Sequence, residues 1–285
     1  MAVLEKGTKF PSVLAKEVFS KVKGHSSLAK LSNTAPIAFA GTDIFTFGYD
    51  AEVSIVGESE AKAHGGVTAT PVQIRPIKIE YGARVSDEFM FASEEAQIDI
   101  LSAFADGFAK KVARGLDIMA FTKTNPKTGQ TSTLITNDFT AVTNTVSLGS
   151  NPADVAIEDA VALLGDYDAN GIAISKAMAG KLAKETTADG AKMFPELAWG
   201  ANPDAINGLN ADVNSTLGSN LAIVGDFENA FKWGYAKDID IEVIEYGDPD
   251  NTGSDLKGHN QVYLRGEAYI GFAVLSNDAF SIVTA

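Results

Sequence analysis

From Phe45 the apolar residues Phe47, Tyr49, Ala51, Val53 and Ile55 alternate with Thr46, Gly48, Asp50, Glu52 and Ser54. That two-residue period predicts a strand, which at about 3.4 Å per residue would run for roughly 40 Å. Polar and glycine residues follow, and a return strand alternates through Val72 and Ile74. Its phase changes at Arg75 and Pro76 and resumes at Ile77, Ile79 and Tyr81, as a bulge requires, with Pro76 removing one ladder donor. Residues 45–81 therefore read as a long hairpin. A two-stranded ribbon is marginal alone and offers unpaired edges, so it is expected to lie against another molecule; the alternative is an ordinary hairpin within a larger sheet.

After the hairpin the period becomes helical. Ser93 followed by Glu94 and Glu95 makes an N-terminal signal, and Ile98, Leu101, Ala105, Phe108, Val112, Leu116 and Met119 then recur at steps of three or four. Ile100 and Phe104 widen the stripe, predicting a helix over 93–122 of about 45 Å at 1.5 Å per residue. Gly107 and Gly115 weaken it intrinsically, so packing must hold it. Upstream, Val13, Leu14, Ala15, Val18, Phe19 and Val22 predict a short amphipathic helix over 11–23, with Pro11 in its first turn and Gly24 at its stop.

Downstream, Asn125, Pro126 and Gly129 break the chain, and 131–148 reads as a loop with short strands. From Ser150 the pattern alternates between helix and strand. A helix runs from Asn151-Pro152 to about Leu164, and a buried strand covers Ile172–Ile174. Ser175 caps a helix through Glu185, a second buried strand covers 221–224, and a short helix covers Phe227–Trp233. Strands return at Ile239, Ile241 and Val243 and over 261–275.

The chain has 285 residues, 45% of them hydrophobic, enough for a sizeable core in one large domain or two ordinary ones. No run reaches the ~18 apolar residues of a membrane span, and the start lacks the pattern of a signal peptide. The lack of cysteine excludes disulfides, thiol nucleophiles and Cys-ligated zinc, and suits a reducing cytoplasm. A formal charge of −14 argues against tight wrapping of nucleic acid. Yet residues 1–35 carry Lys6, Lys9, Lys16, Lys21, Lys23 and Lys30 against Glu5 and Glu17, a local +4 that leaves −18 for the remainder. This basic arm either docks on a neighbouring subunit or is a solvated terminal helix.

The chemical motifs are incomplete. Asp166, Asp168, Asn170 and Gly171 match the opening of a calcium loop, but Ala177 stands where a bidentate Glu belongs, so the segment reads as a helix-to-strand turn. Ser27 with Lys30, and Lys127-Thr-Gly129, imitate two of three serine acyl-enzyme signatures without the third. His25, His64 and His259 have no metal-ligand partner at usable spacing. No dinucleotide, phosphate-loop or nucleophile-elbow motif occurs. The reading is of a protein that is not an enzyme, with no catalytic residue, cofactor or metal assigned.

The order of parts, from basic arm and short helix through projecting hairpin and long helix to α/β unit and returning strands, resembles the major capsid proteins of tailed bacteriophages. Local stretches support the likeness. Ile206-Asn-Gly208-Leu209-Asn-Ala-Asp-Val213 is similar to the family's L-G-x-P-V segment, departing from it at Leu209 to Asp212, and Val224-Gly225-Asp226-Phe227 with Ala230-Phe231 is similar to its GDF…A stretch. The closing strands match through Arg265, Gly271, Val274 and Ala279-Phe280.

The resemblance covers almost the whole chain. It implies an α+β, Hong Kong 97-like capsid fold divided into an N-terminal arm (1–35), an extended hairpin or E-loop (45–81), a peripheral domain (36–44, 82–149 and 234–277) holding the spine helix 93–122, and an axial α/β domain (150–233 and 278–285). It also implies a major capsid protein assembling as pentamers and hexamers into an icosahedral head around double-stranded DNA. Expected partners are other copies of the chain, a separate scaffolding protein, a portal, possible decoration proteins and weak non-specific contact with packaged DNA, with no membrane. The expected place is the virion, after assembly in the host cytoplasm.

The assembly residues expected from this reading are the arm lysines Lys6, Lys9, Lys16, Lys21 and Lys23, the hairpin-tip charges Glu58, Glu60 and Lys62, and Arg75. Lys62 is the candidate should the hairpin be crosslinked. An encapsulin-like shell around protein cargo is the nearest alternative. A soluble α/β enzyme is more distant, for want of any convergent acid, base or nucleophile.

Overall fold

The computed structural model describes residues 25–49, 53, 55–60, 64–91 and 93–285. The helix expected over 11–23 lies outside these residues. The first element, α1 (Ser27–Leu31), is a five-residue helix whose N-cap Ser26 side chain accepts from the Ala29 amide. Residues 34–37 then run beside a later strand, with the Ala35 amide donating to the Trp233 carbonyl at 2.9 Å.

Strand β1 (Thr42–Tyr49) pairs antiparallel with β2 (Val67–Ile74) along their whole length, from Thr42↔Ile74 to Tyr49↔Val67. The expected strand pairing is present, but the first strand ends at Tyr49 with Val53 and Ile55 outside it, shorter than the alternation suggests, and the phase change at Arg75 and Pro76 has another cause than a bulge. Here the chain leaves one sheet for another: β3 (Ile77–Ser86) pairs with β10 (Gln261–Val274) in a three-stranded sheet completed by β9 (Phe231–Ile244). Only the root of the ribbon is supported, because Ile44, Val72 and buried Ile74 pack with Ile37 and Ala273. Phe45 points to the opposite face and is 58% exposed.

The long helix is present as α2 (Glu94–Thr122), with the Ser93 side chain accepting from Ala96 and Lys123 closing it in a left-handed conformation (φ 56°). Leu101, Ala105, Phe108, Val112, Leu116 and Met119 are buried as the stripe predicts. Ile98 and Ile100 are not; both remain over a third exposed. Farther on, the Phe108 ring lies directly over Gly266 of β10, where a Cβ would stand 3.0 Å from it.

The expected loop over 131–148 contains the centre of the core. Phe139 sits in a single 3₁₀ turn, fully buried, with the rings of Phe121, Phe227, Phe231 and Phe280 4.9–6.0 Å away. Such aromatic contacts add ~0.5–1.5 kcal/mol per pair to the area buried. After β4 (Thr145–Ser147), α3 (Ala153–Ala162), β5 (Gly171–Ser175) and α4 (Lys176–Leu182) follow as the periodicity suggests, and Ser175 caps α4 by accepting from Met178.

Ala205–Ile206 (β6) and Leu209–Asn214 (β7) form a hairpin whose turn residues Asn207 and Gly208 both have positive φ, the Asn-Gly signature of a two-residue loop. Strand β8 (Ala222–Gly225) is the buried strand expected at 221–224, whereas α5 (Phe227–Ala230) ends earlier than expected because Phe231 already pairs with Val274. With the closing strand β11 (Phe280–Thr284), these form a six-stranded sheet ordered β4-β11-β8-β5-β7-β6. One core lies between this sheet, α2 and the three-stranded sheet, and a second beneath α3 and α4.

Two glycines report opposite constraints. A Cβ on Gly234 would stand 1.7 Å from the Ala35 carbonyl oxygen, whereas one on Gly107 meets nothing within 4 Å. Gly234→Ala is expected to lower the unfolding free energy of the subunit by about 3 kcal/mol through overpacking against backbone. Gly107→Ala is expected to raise it by about 1 kcal/mol through helix propensity. Urea denaturation measures both.

Candidate assembly interface

The short helix α1 is held by a buried charge. Asp117 of α2 is fully buried; its carboxylate accepts from the Ser26 hydroxyl (2.5 Å), the Ser27 and Leu28 amides (3.0 and 3.3 Å), the Asn214 side-chain amide (2.5 Å) and the Thr216 hydroxyl (3.4 Å). Two of these donors are free N–H groups at the start of α1, where a negative charge is favoured. On the other side, the Ser27 hydroxyl donates to Asp212 at 2.5 Å, and Lys30 reaches Asp204 (3.0 Å) and Asp212 (3.6 Å). The Ser27 and Lys30 pair is thus a structural tie between α1 and β7. Burial pushes the Asp117 carboxyl up to about 6 against the lowering effect of its donors.

At the far end of the ribbon, Ser59 has positive φ and the Glu60 carboxylate accepts from the Gly57 amide at 3.0 Å. Glu58 and Glu60 are exposed, as are Val53 and Ile55. Arg75 lies at the ribbon's root, exposed, with its Nε donating to Gln73 at 2.6 Å. Lys6, Lys9, Lys16, Lys21, Lys23 and Lys62 lie outside the described residues. The structure therefore places Glu58 and Glu60 at one end of the hairpin and Arg75 at the other, rather than in a single cluster.

Between β9 and β10 a second polar knot orders the connecting turn. Arg84 Nη2 donates to Asp248 (2.7 Å), Asp250 (2.5 Å), Thr252 (2.7 Å) and the Ser254 carbonyl (2.9 Å), and its hydrogen bond holds the Asp250 carboxyl down to about 2. The segment resembling a calcium loop is a helix-to-strand turn between α3 and β5. Its Asn170 donates to Asp226 and accepts from the Phe227 amide at 2.9 Å, fastening β5 to α5. His259 bonds the Asp255 carbonyl at 2.8 Å, and His25 and His64 are exposed.

Sequence reasoning missed Asp117, although the signal was present: it lies four residues after Ala113 and three before Ala120, both fully buried, so a carboxylate interrupts the buried face of α2. Phe91, Trp199 and Tyr246 were also missed; each is a large side chain left mostly exposed. Among the described residues, no group of three or more acidic, histidine or cysteine side chains is placed to hold a metal, and no helix is long and apolar enough to cross a membrane.

Among the described residues, a ribbon packed at its root and apolar side chains turned to solvent are features of a subunit that other molecules complete. The chain belongs to the phage capsid family, whose sequence model matches residues 7–285, and it is a major capsid protein of the virion shell. Its structure is similar to a chain of Mycobacterium phage Ogopogo, with 31% identity, TM-score 0.78 and coverage of 99% of this chain and 94% of that one. A chain of Gordonia phage Cozz aligns at 23% identity and TM-score 0.72, covering 99% and 89%. The capsid of an empty GTA particle, computed with C5 symmetry, shares the fold at 17% identity and TM-score 0.66, covering 100% and 91%. A search of curated proteins finds no match.

Replacing Asp117 by Ala leaves the buried Ser27 and Leu28 amides without their acceptor. The expected cost is about 3 kcal/mol or more in urea unfolding, with faster hydrogen exchange at those two amides. Because the folded carboxyl titrates above its free value of 3.8, it takes up a proton on folding between pH 4 and 6. The part of the stability linked to that proton is full below about pH 4 and lost as pH rises through 6. That fall, read from stability against pH, is expected to disappear in Asp117→Ala.

Proposed function

We propose that copies of this chain join as hexamers and pentamers into the icosahedral head enclosing the double-stranded DNA genome of a tailed phage. The observation that carries the reading is the β1–β2 ribbon in a phage capsid family member: the two strands pair only with each other among the described residues, and Phe45 and Val67 on them are exposed. A ribbon of that kind gains pairing and burial on a neighbouring subunit. The five-fold symmetry of the GTA capsid supports pentamers. In this reading 1–35 is the arm, 45–81 the E-loop, 36–44, 82–149 and 234–277 the peripheral domain, and 150–233 with 278–285 the axial domain.

Lys6, Lys9, Lys16, Lys21, Lys23, Glu58, Glu60, Lys62 and Arg75 contribute ionic contacts between copies, weakened by salt. A separate scaffolding protein guides assembly in the host cytoplasm, a portal occupies one vertex, and the acidic body encloses DNA with only weak contact. The role is structural rather than catalytic.

Negative-stain electron microscopy with size-exclusion light scattering, with and without residues 57–67, tests this. Shells, rings or tubes from the intact chain, lost or altered by the deletion, are expected. A monomer at high concentration that the deletion leaves unchanged would overturn the reading.

A further inference from the structure

The six-stranded sheet has unlike ends. Toward β7 and β6, the turn Pro195–Gly200 packs on α4, pinned by buried Leu197 and preceded by buried Phe194. From that anchored turn Trp199 projects with a left-handed backbone (φ 59°) and a fully exposed side chain. Left-handed backbone is uncommon outside glycine, and so is leaving a tryptophan wholly in water. The indole is therefore presented on a rigid mount, which lowers the ordering cost of a contact.

At the other end, α3 packs on β4, β11 and β8, and Val155, Val161 and Leu163 at its surface are each more than a third exposed. The two ends also differ in charge. Asp154, Glu158, Asp159, Asp166 and Asp168 lie within 153–168, which has no lysine or arginine. Residues 176–200 carry Lys176, Lys181, Lys184 and Lys192 against Glu185, Asp189 and Glu196.

We propose that Trp199 anchors one copy to the next by seating on the outer face of α3, with the lysines around α4 facing the carboxylates around α3. Knob and seat are different patches of one subunit, on neighbouring helices over a shared core, so the contact is head-to-tail, the kind that repeats around an axis and closes into a ring. Exposed tryptophans on rigid mounts are the usual anchors of such interfaces. The inference rests on the capsid reading and assigns one of its contacts.

The chain has no cysteine, so a Trp199→Cys/Leu163→Cys pair supplies the only thiols. Oxidation of particles carrying the pair is expected to give a ladder of covalent oligomers that neither single variant forms. In the unsubstituted protein the other tryptophan, Trp233, is already buried. Acrylamide quenching should therefore fall several-fold when free subunits assemble, and a Trp199→Phe variant should show no such fall.

Shells that form with Trp199 as quenchable as in free subunits, and without a ladder, would overturn the inference and leave the capsid reading standing. Loss of quenching without a ladder would overturn the α3 seat and assign the indole to another contact or another protein. The absence of any particle would remove both readings.

Discussion

The carboxylate of Asp117 is the interaction through which α1, the long helix and the six-stranded sheet become one body. A buried charge is costly unless its hydrogen-bonding capacity is filled, and here the donors come from three directions: the start of α1, the end of β7 and the loop that follows it. None of these segments is adjacent to α2 in sequence. The cost of burying the charge therefore becomes a demand that α1 and β7 be in place together. Once they are, the position of α1 is fixed relative to both sheets.

Around that point the packing is aromatic and backbone-close. Phe139 joins rings from α2, α5, β9 and β11, while glycines at 234 and 266 let residue 35 and the Phe108 ring approach the strands more closely than a Cβ would permit. The chain thus has a rigid centre without disulfides. Its less supported parts, the ribbon beyond its root and the first turns of α2, lie at the periphery, where unburied apolar area awaits a neighbour.

The periodic elements were legible because a helix or strand that buries one face writes its period into the sequence: α2, β5, β8 and the β1–β2 pairing follow from it. What was not legible depends on contacts between distant segments. Phe139 reads as part of a polar loop because its only periodicity is that of the rings around it. Likewise, the change of phase at Arg75 and Pro76 looks the same whether a strand bulges or changes sheets, since both shift alternation by one residue; only the partner strand, about 190 residues away at β10, distinguishes them. The individual interface residues were named from charge, so they included Glu58 and Glu60 and passed over Trp199, whose exposure sequence does not record.

The ribbon's support is confined to Ile44, Val72 and Ile74 at its root. Beyond them β1 and β2 form a sheet of two strands, and such a pair can bend out of its plane without breaking a ladder hydrogen bond. A closed shell with both five-fold and six-fold rings asks chemically identical subunits to meet at more than one angle. In the shell proposed above, a two-stranded ribbon on a packed root would let that angle vary while the pairing stays the same, so that local curvature is taken up by the ribbon and not by the core.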